Sequence, residues 1–306
     1  MPKDLMQIAK AGNISPQDVA LDNMLTPKEG RTFIAAIIKQ DSILKDVTVD
    51  IAGKLTKKRT GFDIGTGVLN RHTSGVAVPS ANMKKIESLG CNLNMTNGVS
   101  LNARILNETL LDNKDNKNFE KDTFEGFSTT FMNDLAFLGF AGTADNVAAT
   151  APFAELSKGW LKVAQESTVP HKKTFKLTSH KTVIERLQEV VKNLDNAIKG
   201  GKATIFMSAI DYDQYQLEAS AAYPGSGALI HGGINKYAGY KLYPQYNIPQ
   251  HTFLATLPKN MVFGISTQIQ RIRWYDNETS SLRYKFVCHP DYEFDIHKYI
   301  TLITKA

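Results

Sequence analysis

The stretch FMNDLAFLGFAG, Phe131 to Gly142, closes a run in which Phe124, Phe127, Phe131, Leu135 and Leu138 recur every three or four residues. That spacing puts all five on one face of a 3.6-residue period and predicts an amphipathic helix. Upstream, LLDNKDNKNFEKD is strongly polar, so the helix is expected to begin near Asn107 with one side in solvent. It would run for roughly 30 residues, ~45 Å at 1.5 Å per residue. Gly139 and Gly142 supply its expected stop.

Towards the N-terminus the period changes to two. From Lys45, Val47, Val49 and Ile51 alternate with Asp46, Thr48 and Asp50, the pattern of a half-buried strand. Lys54, Lys57, Lys58 and Arg59 follow, then Phe62 and Ile64 among Gly61, Gly65, Gly67 and Gly75. A second alternating segment, Cys91, Leu93 and Met95 against Asn92, Asn94 and Thr96, resumes after Asn97-Gly98 as Val99, Leu101, Ala103 and Ile105. Asn97-Gly98 reads either as a bulge or as a tight turn. The two segments predict a long antiparallel excursion, out from about Lys45 and back by about Ile105, with a polar tip near Asn70 to Ser80. Before it, residues 1–30 are polar, hold Pro2, Pro16 and Pro27, and read as an extended arm that needs a partner surface. RTFIAAIIKQDSIL (31–44) reads as a short helix.

Towards the C-terminus, GWLKVAQE (Gly159 to Glu166) is a short amphipathic piece and PHKKTFK (Pro170 to Lys176) a basic loop. A helix is expected over Thr182 to Lys199, with Val183, Leu187, Val190, Val191, Leu194 and Ile198 on its apolar face. Thr182 and Glu185 form its capping box and Gly200-Gly201 its end. ATIFMSAI (Ala203 to Ile210) is nearly all apolar, as in a strand buried on both faces. Asp211, with Gln214, is expected to cap the next helix, through about Ala222. From Tyr237 the pattern is β: 240–243, 252–257, 261–265, 269–275, 284–288 and 299–303 are strand candidates. The class is α+β.

Composition narrows the function classes. A chain of 306 residues, 42% hydrophobic, builds a real core, and a net charge of +6 with a pI near 9.1 suits mild attraction to a polyanion without making a dedicated nucleic-acid reader. Two cysteines, Cys91 and Cys288, are too few for a disulfide framework and fit a reducing compartment; the Asn-x-Thr triplets at Asn94, Asn107 and Asn277 then have no significance. No signal-peptide core or membrane-length apolar run occurs, so a soluble protein without a membrane partner is expected. The chain has no Walker loop, no G-x-G-x-x-G after a strand, no His-Glu-x-x-His, no G-x-S-x-G and no Cys-x-x-Cys. Catalytic residues, cofactor and metal are therefore all expected to be absent. His72, His171, His180, His231, His251, His289 and His297 are scattered, with no metal spacing. Asp211-Tyr-Asp213 is explained by capping, and GSGALIHGGINKYAG (Gly225 to Gly239) lacks the context of a phosphate cradle. The basic run Lys54 to Arg59, without interleaved aromatics, reads as an edge protected by charge or as a protein–protein salt-bridge site.

The order of these elements resembles the major capsid proteins of tailed bacteriophages, the HK97-type fold, and is most similar to the P2-like phage capsid family. FMNDLAFLGFAG resembles a helix end closing on a Gly-Phe-Asn-Gly-like turn, GWLKVAQE resembles a Gly-Trp-Leu segment at the same place, and GFDIGTGV (Gly61 to Val68) is similar to a glycine-rich strand of that family's extended loop. The resemblance implies an arm and short helix (1–44), an extended hairpin loop (45–105), a peripheral domain with a spine helix (106–180), an axial domain (181–257) and terminal strands, mostly peripheral (258–306). It also implies a non-catalytic shell subunit, assembled in a bacterial host cytoplasm into the hexamers and pentamers of an icosahedral virion capsid around double-stranded DNA held by nonspecific contact. Portal and decoration proteins would be separate partners, and scaffolding either a separate protein or a segment already removed, since the chain is shorter than its family and starts directly at the arm. Lys54, Lys57, Lys58, Arg59 and Arg71 become candidate intersubunit contacts. An encapsulin-like compartment subunit, and further off a nucleic-acid-binding enzyme, are the alternatives.

Overall fold

A computed structural model describes residues 43–63, 71, 74–75, 87–112, 119–168, 171–222 and 235–306. The expected arm, most of its following helix, and nearly all of the loop tip lie outside these residues. In chain order the first strands are β1 (Thr48–Ala52), β2 (Thr56–Lys58), β3 (Gly61–Asp63), β4 (Glu87–Leu89), β5 (Asn92–Asn94) and β6 (Val99–Leu106). Helices α1 (Asn107–Asp112), α2 (Phe119–Ala141) and α3 (Trp160–Glu166) follow. Next come β7 (Lys172–Phe175), α4 (Val183–Lys192), β8 (Thr204–Ser208), α5 (Ala209–Ala222), β9 (Lys236–Tyr237), β10 (Tyr240–Gln245) and β11 (Thr252–Thr256). The last strands are β12 (Met261–Ser266), β13 (Gln270–Asp276), β14 (Ser281–Cys288), β15 (Pro290–Phe294) and β16 (Thr301–Lys305).

Two cores organise them. The first gathers Phe131, Met132, Leu135, Leu138 and Phe140 of α2 with Trp160, Phe263, Tyr292 and Phe294. The periodicity read along α2 is the face that enters it. Gly139 does not stop the helix, which continues to Ala141. A Cβ on Gly139 would lie 2.5 Å from the Trp160 ring, and one on Gly159 would lie 2.6 Å from the Gly139 carbonyl oxygen. Both glycines thus serve close approach, which lets α3 start directly against the end of α2. Trp160, fully buried, donates from Nε1 to the Val262 carbonyl at 3.1 Å and meets Tyr292 edge-on at 5.0 Å and Phe140 at 5.4 Å. The Tyr292 hydroxyl donates to the Leu135 carbonyl at 2.6 Å, so helix, α3, β12 and β15 are bound at one point.

The second core lies within a six-stranded sheet, β7-β16-β11-β8-β10-β9, packed on α4 and α5. β8 and β11 are buried along their whole length, as their apolar runs require. The Thr182–Glu185 capping box is formed, and α4 ends at Lys192, short of the expected Lys199. The basic segment expected as a loop is an edge strand, β7, parallel to β16, with Lys173 exposed, Lys172 half-buried and donating to the Gln165 carbonyl at 2.7 Å, and Phe175 buried. Asp211 does not cap α5: the Ser208 hydroxyl accepts from the amides of Ile210 (3.1 Å) and Asp211 (3.4 Å) instead. Asp211 is fully buried and accepts from the His251 amide at 2.7 Å, with His251 Nδ1 at 3.2 Å and Arg186 Nη1 at 3.5 Å.

The expected pairing of the outgoing and returning segments holds only in part. β2 pairs with β5 and β3 with β4, antiparallel, but β1 runs parallel to β12 in a sheet β1-β12-β15, and β6 pairs with β14 in a sheet β13-β14-β6. β15, like β7, is a strand that sequence reading passed over: Pro290 opens it, and Tyr292 and Phe294 alternate with Asp291 and Glu293.

Gly139→Ala is expected to destabilise the protein by about 1–3 kcal/mol through overpacking against Trp160. Gly126→Ala, in the same helix with open space around it, should stabilise by about 0.5–1 kcal/mol. Urea unfolding of the two variants checks the contrast.

Candidate functional site

The basic run projects from the end of β1, and its base is seated on the face of the β1-β12-β15 sheet turned away from the α2 core. Cys91, Leu93 and Met95 are buried there against Ala52 and Val262. The ladder between β2 and β5 extends through Arg59 N to Cys91 O (2.9 Å) and Met95 N to Leu55 O (2.7 Å). Both faces of β1 are therefore covered, which overturns the half-buried alternation: Val49 and Ile51 are half-buried against the first core, while Asp50 is 6% exposed under the loop base.

A buried carboxylate in that place requires partners. Asp50 has Lys57 Nζ at 2.6 Å on one oxygen and Arg59 Nη1 at 2.6 Å on the other. Arg59 also grips Asp295 in a two-pronged contact, Nε at 2.8 Å and Nη2 at 3.0 Å. Burial pushes the Asp50 carboxyl upward, but the hydrogen bonds and charges of Lys57 and Arg59 outweigh it and hold it below its ordinary value. The Asp295 hydrogen bond raises Arg59 against the opposing effect of burial, and Asp50 adds to it. Two of the five candidate residues are thus committed within the chain. Lys54, Lys58 and Arg71 are exposed, with no ion pair among the described residues.

Beside this clamp, Asp291 and Glu293 lie on the same side of β15 as Asp295. Asp291 accepts from the Asn94 amide at 2.6 Å and from the Tyr292 amide at 2.9 Å. Burial pushes Asp291 up to about 6 and Glu293 up to about 7; backbone amides pull both down, and Lys158 also pulls Glu293 down. Burial, with the Asp295 charge, pushes the Cys91 thiol up to about 12, and burial alone raises Cys288, so neither is a nucleophile at neutral pH. Asp291, Glu293 and Asp295 were not singled out from the sequence, although PDYEFD carries their period-two signal.

Among the described residues these groups do not form a nucleophile–base pair. The Arg186–Asp211–His251 cluster has a histidine and a carboxylate in triad-like contact, but no hydroxyl or thiol among the described residues bonds to that imidazole. It fixes the turn at His251, which has φ +66°. Among the described residues no group of three or more His, Cys, Asp or Glu is placed to hold a metal ion, and no helix is long and apolar enough to cross a membrane.

No protein-family model and no curated protein matches the chain. Solved structures do. A chain in the satellite phage P4 procapsid including size determination (Sid) protein superposes with a TM-score of 0.74 at 12% identity, covering 100% of this chain and 98% of that one. The fold is that of phage capsid proteins. Microbacterium phage Oxtober96 matches with a TM-score of 0.54 at 14% identity (96% and 100% covered), and the capsid of an empty GTA particle with 0.55 at 10% (87% and 96%). At such identities the likeness rests on three-dimensional arrangement, which explains why only short words of sequence carry the resemblance.

Arg59→Met leaves Asp50 with Lys57 alone. Because Arg59 is 25% exposed, the expected cost is about 2 kcal/mol, below the roughly 3–5 kcal/mol of a fully buried broken pair. Thermal unfolding at neutral pH measures it.

A carboxyl whose folded pKa is raised contributes stability that is complete below the unfolded value and is lost as the pH rises through the folded one. For Glu293 that window runs from 4.5 to about 7. Glu293→Gln is therefore expected to stabilise the protein by about 1–3 kcal/mol at pH 8 and by little at pH 5. The difference between variant and parent unfolding curves across that range is the measurement, taken in a His297→Gln background because His297 Nε2 lies 3.7 Å from the Glu293 carboxylate; it subtracts the background of His289, held low by burial.

Proposed function

We propose that this protein is a phage major capsid protein, a non-catalytic subunit that self-assembles into the hexamers and pentamers of an icosahedral shell around double-stranded DNA. The observation that carries the reading is end-to-end structural likeness: all of this chain and 98% of the P4 procapsid chain superpose. The seated loop supports it physically. A two-stranded projection whose root is fixed by Asp50, Arg59 and Asp295, and whose exposed Lys54 and Lys58 have no acidic partner among the described residues, suits a contact with an identical neighbour. Heterologous contacts of that kind close into rings, and each subunit's several weak contacts add through avidity.

In this reading the arm spans 1–44, the extended loop 45–105, the peripheral domain 106–180 and the terminal strands 258–306, with the axial domain at 181–257. Scaffolding, portal and decoration proteins are separate partners, and assembly takes place in the host cytoplasm before the protein enters the virion. Lys54, Lys58 and Arg71 reach the neighbouring subunit, while Lys57 and Arg59 hold the loop's root. The P2-like affiliation rests on the short sequence words around Gly139 and Trp160.

Negative-stain imaging of purified protein under assembly conditions tests the function: closed shells of uniform size are expected, and monomers under every condition would refute it. The triple variant Lys54→Glu, Lys58→Glu, Arg71→Glu is expected to lower particle yield at least several-fold while its unfolding stays within about 0.5 kcal/mol of the parent, as for surface changes generally. Unchanged yield would remove these residues from the interface.

A further inference from the structure

The sheet β13-β14-β6 has an inner face packed against α2 and an outer face on which Ser100, Asn102 and Arg104 are exposed and Arg283 and Lys285 half-buried. Tyr284, Phe286 and Ile105 are buried on the inner face, where Phe127 of α2 packs on Tyr284 with ring centroids 5.7 Å apart. Residues directly opposite in an antiparallel pair share a face, and the register sets Trp274 opposite Arg283, Arg283 opposite Arg104, and Lys285 opposite Asn102. A row Trp274–Arg283–Arg104 therefore crosses the outer face, with Lys285, Asn102 and Ser100 beside it.

Two like charges directly opposite each other repel and weaken the pairing they sit on. Arg283 is held by Asp276 and Thr279, yet its Nε is buried without a hydrogen-bond partner. Arg104 and Lys285 have no ion pair among the described residues. Trp274 stays 37% exposed. Asp276 already meets the charge of Arg283, so the cations that gain when an anion lies across the face are Arg104 and Lys285. Arginine, lysine, serine and asparagine donors on one open face are the set that engages phosphate oxygens without reading base sequence, and the chain's charge of +6 favours a polyanion.

We propose that this outer face, centred on Arg104 and Lys285, is the surface that binds the phosphate backbone of double-stranded DNA. The inference rests on the shell reading for its biological setting, though the binding itself is a property of the subunit.

Fluorescence anisotropy of the full-length protein with a short duplex of random sequence is the test, repeated over a range of salt concentrations. The double variant Arg104→Glu, Lys285→Glu is expected to bind about tenfold or more weakly, and its log–log salt slope to shrink by about 2, one for each lost phosphate contact. Arg104→Lys should keep most of the affinity. If the charge reversal impairs folding, as read by circular dichroism, the neutral pair Arg104→Gln, Lys285→Gln carries the same comparison. An unchanged slope in a folded variant overturns the proposal. So does displacement of the duplex by polyglutamate at equal charge concentration, which would point to an acidic protein segment. Closed shells from the double variant with parental DNA content would also count against the face while leaving the shell reading intact; failure of the parent to form shells would strike that reading alone.

Discussion

Everything in the first core is arranged around the approach of one indole to one helix end. Trp160 lies against Gly139, where any side chain would intrude, and its Nε1 reaches the backbone of β12. Tyr292 then ties the strand on the other side of β12 to the helix. A helix of 23 residues is thereby fixed against a sheet whose outermost strands come from opposite ends of the chain. Without a residue lacking Cβ at position 139 the indole would be displaced, and with it the relation between helix and sheet that seats the loop.

The loop root follows the same economy with charge instead of volume. The face of β1-β12-β15 away from α2 offers Asp50 and three alternating acids along and just beyond β15. The loop answers with a guanidinium shared between Asp50 and Asp295, an amide offered to Asp291, and apolar side chains between them. Arg59 suits this task because its planar fork bridges two carboxylates at once, which a lysine ammonium does less well. Charge that read as an edge guard or a protein–protein contact is partly a root.

How much of this was legible in the sequence depends on how local the signal is. The apolar face of α2, the capping box of α4 and the fully buried β8 all follow from residues within one turn or one strand, and all are found. β1 was placed as a strand but paired wrongly, because its partner β12 lies beyond the entire helical middle and alternation does not name a partner. Gly139 was read as punctuation because nothing nearby in sequence announces Trp160. Asp211 was assigned to a cap for the same reason: its partners Arg186 and His251 come from other elements. Lys57 and Arg59 were recognised as functional candidates, but their acids, Asp50 in a supposedly half-buried strand and Asp295 after an unrecognised one, were not. The fold class was carried by collinear order and short words, which is what survives when structural likeness persists at 12% identity.

The parallel pairing of β1 with β12 has a temporal meaning as well as a spatial one. Thr48 donates to the carbonyl of Lys259 across 211 residues, and Arg59 finds Asp295 across 236. The seat of the loop therefore cannot form until its floor, β12 and β15, has been made more than two hundred residues after β1. Closing contacts of such high sequence separation is slow and comes late in folding. Until those strands are in place Arg59 has no Asp295 to grip and the apolar base of the loop has no floor, so the order of the loop root is gained late and all at once.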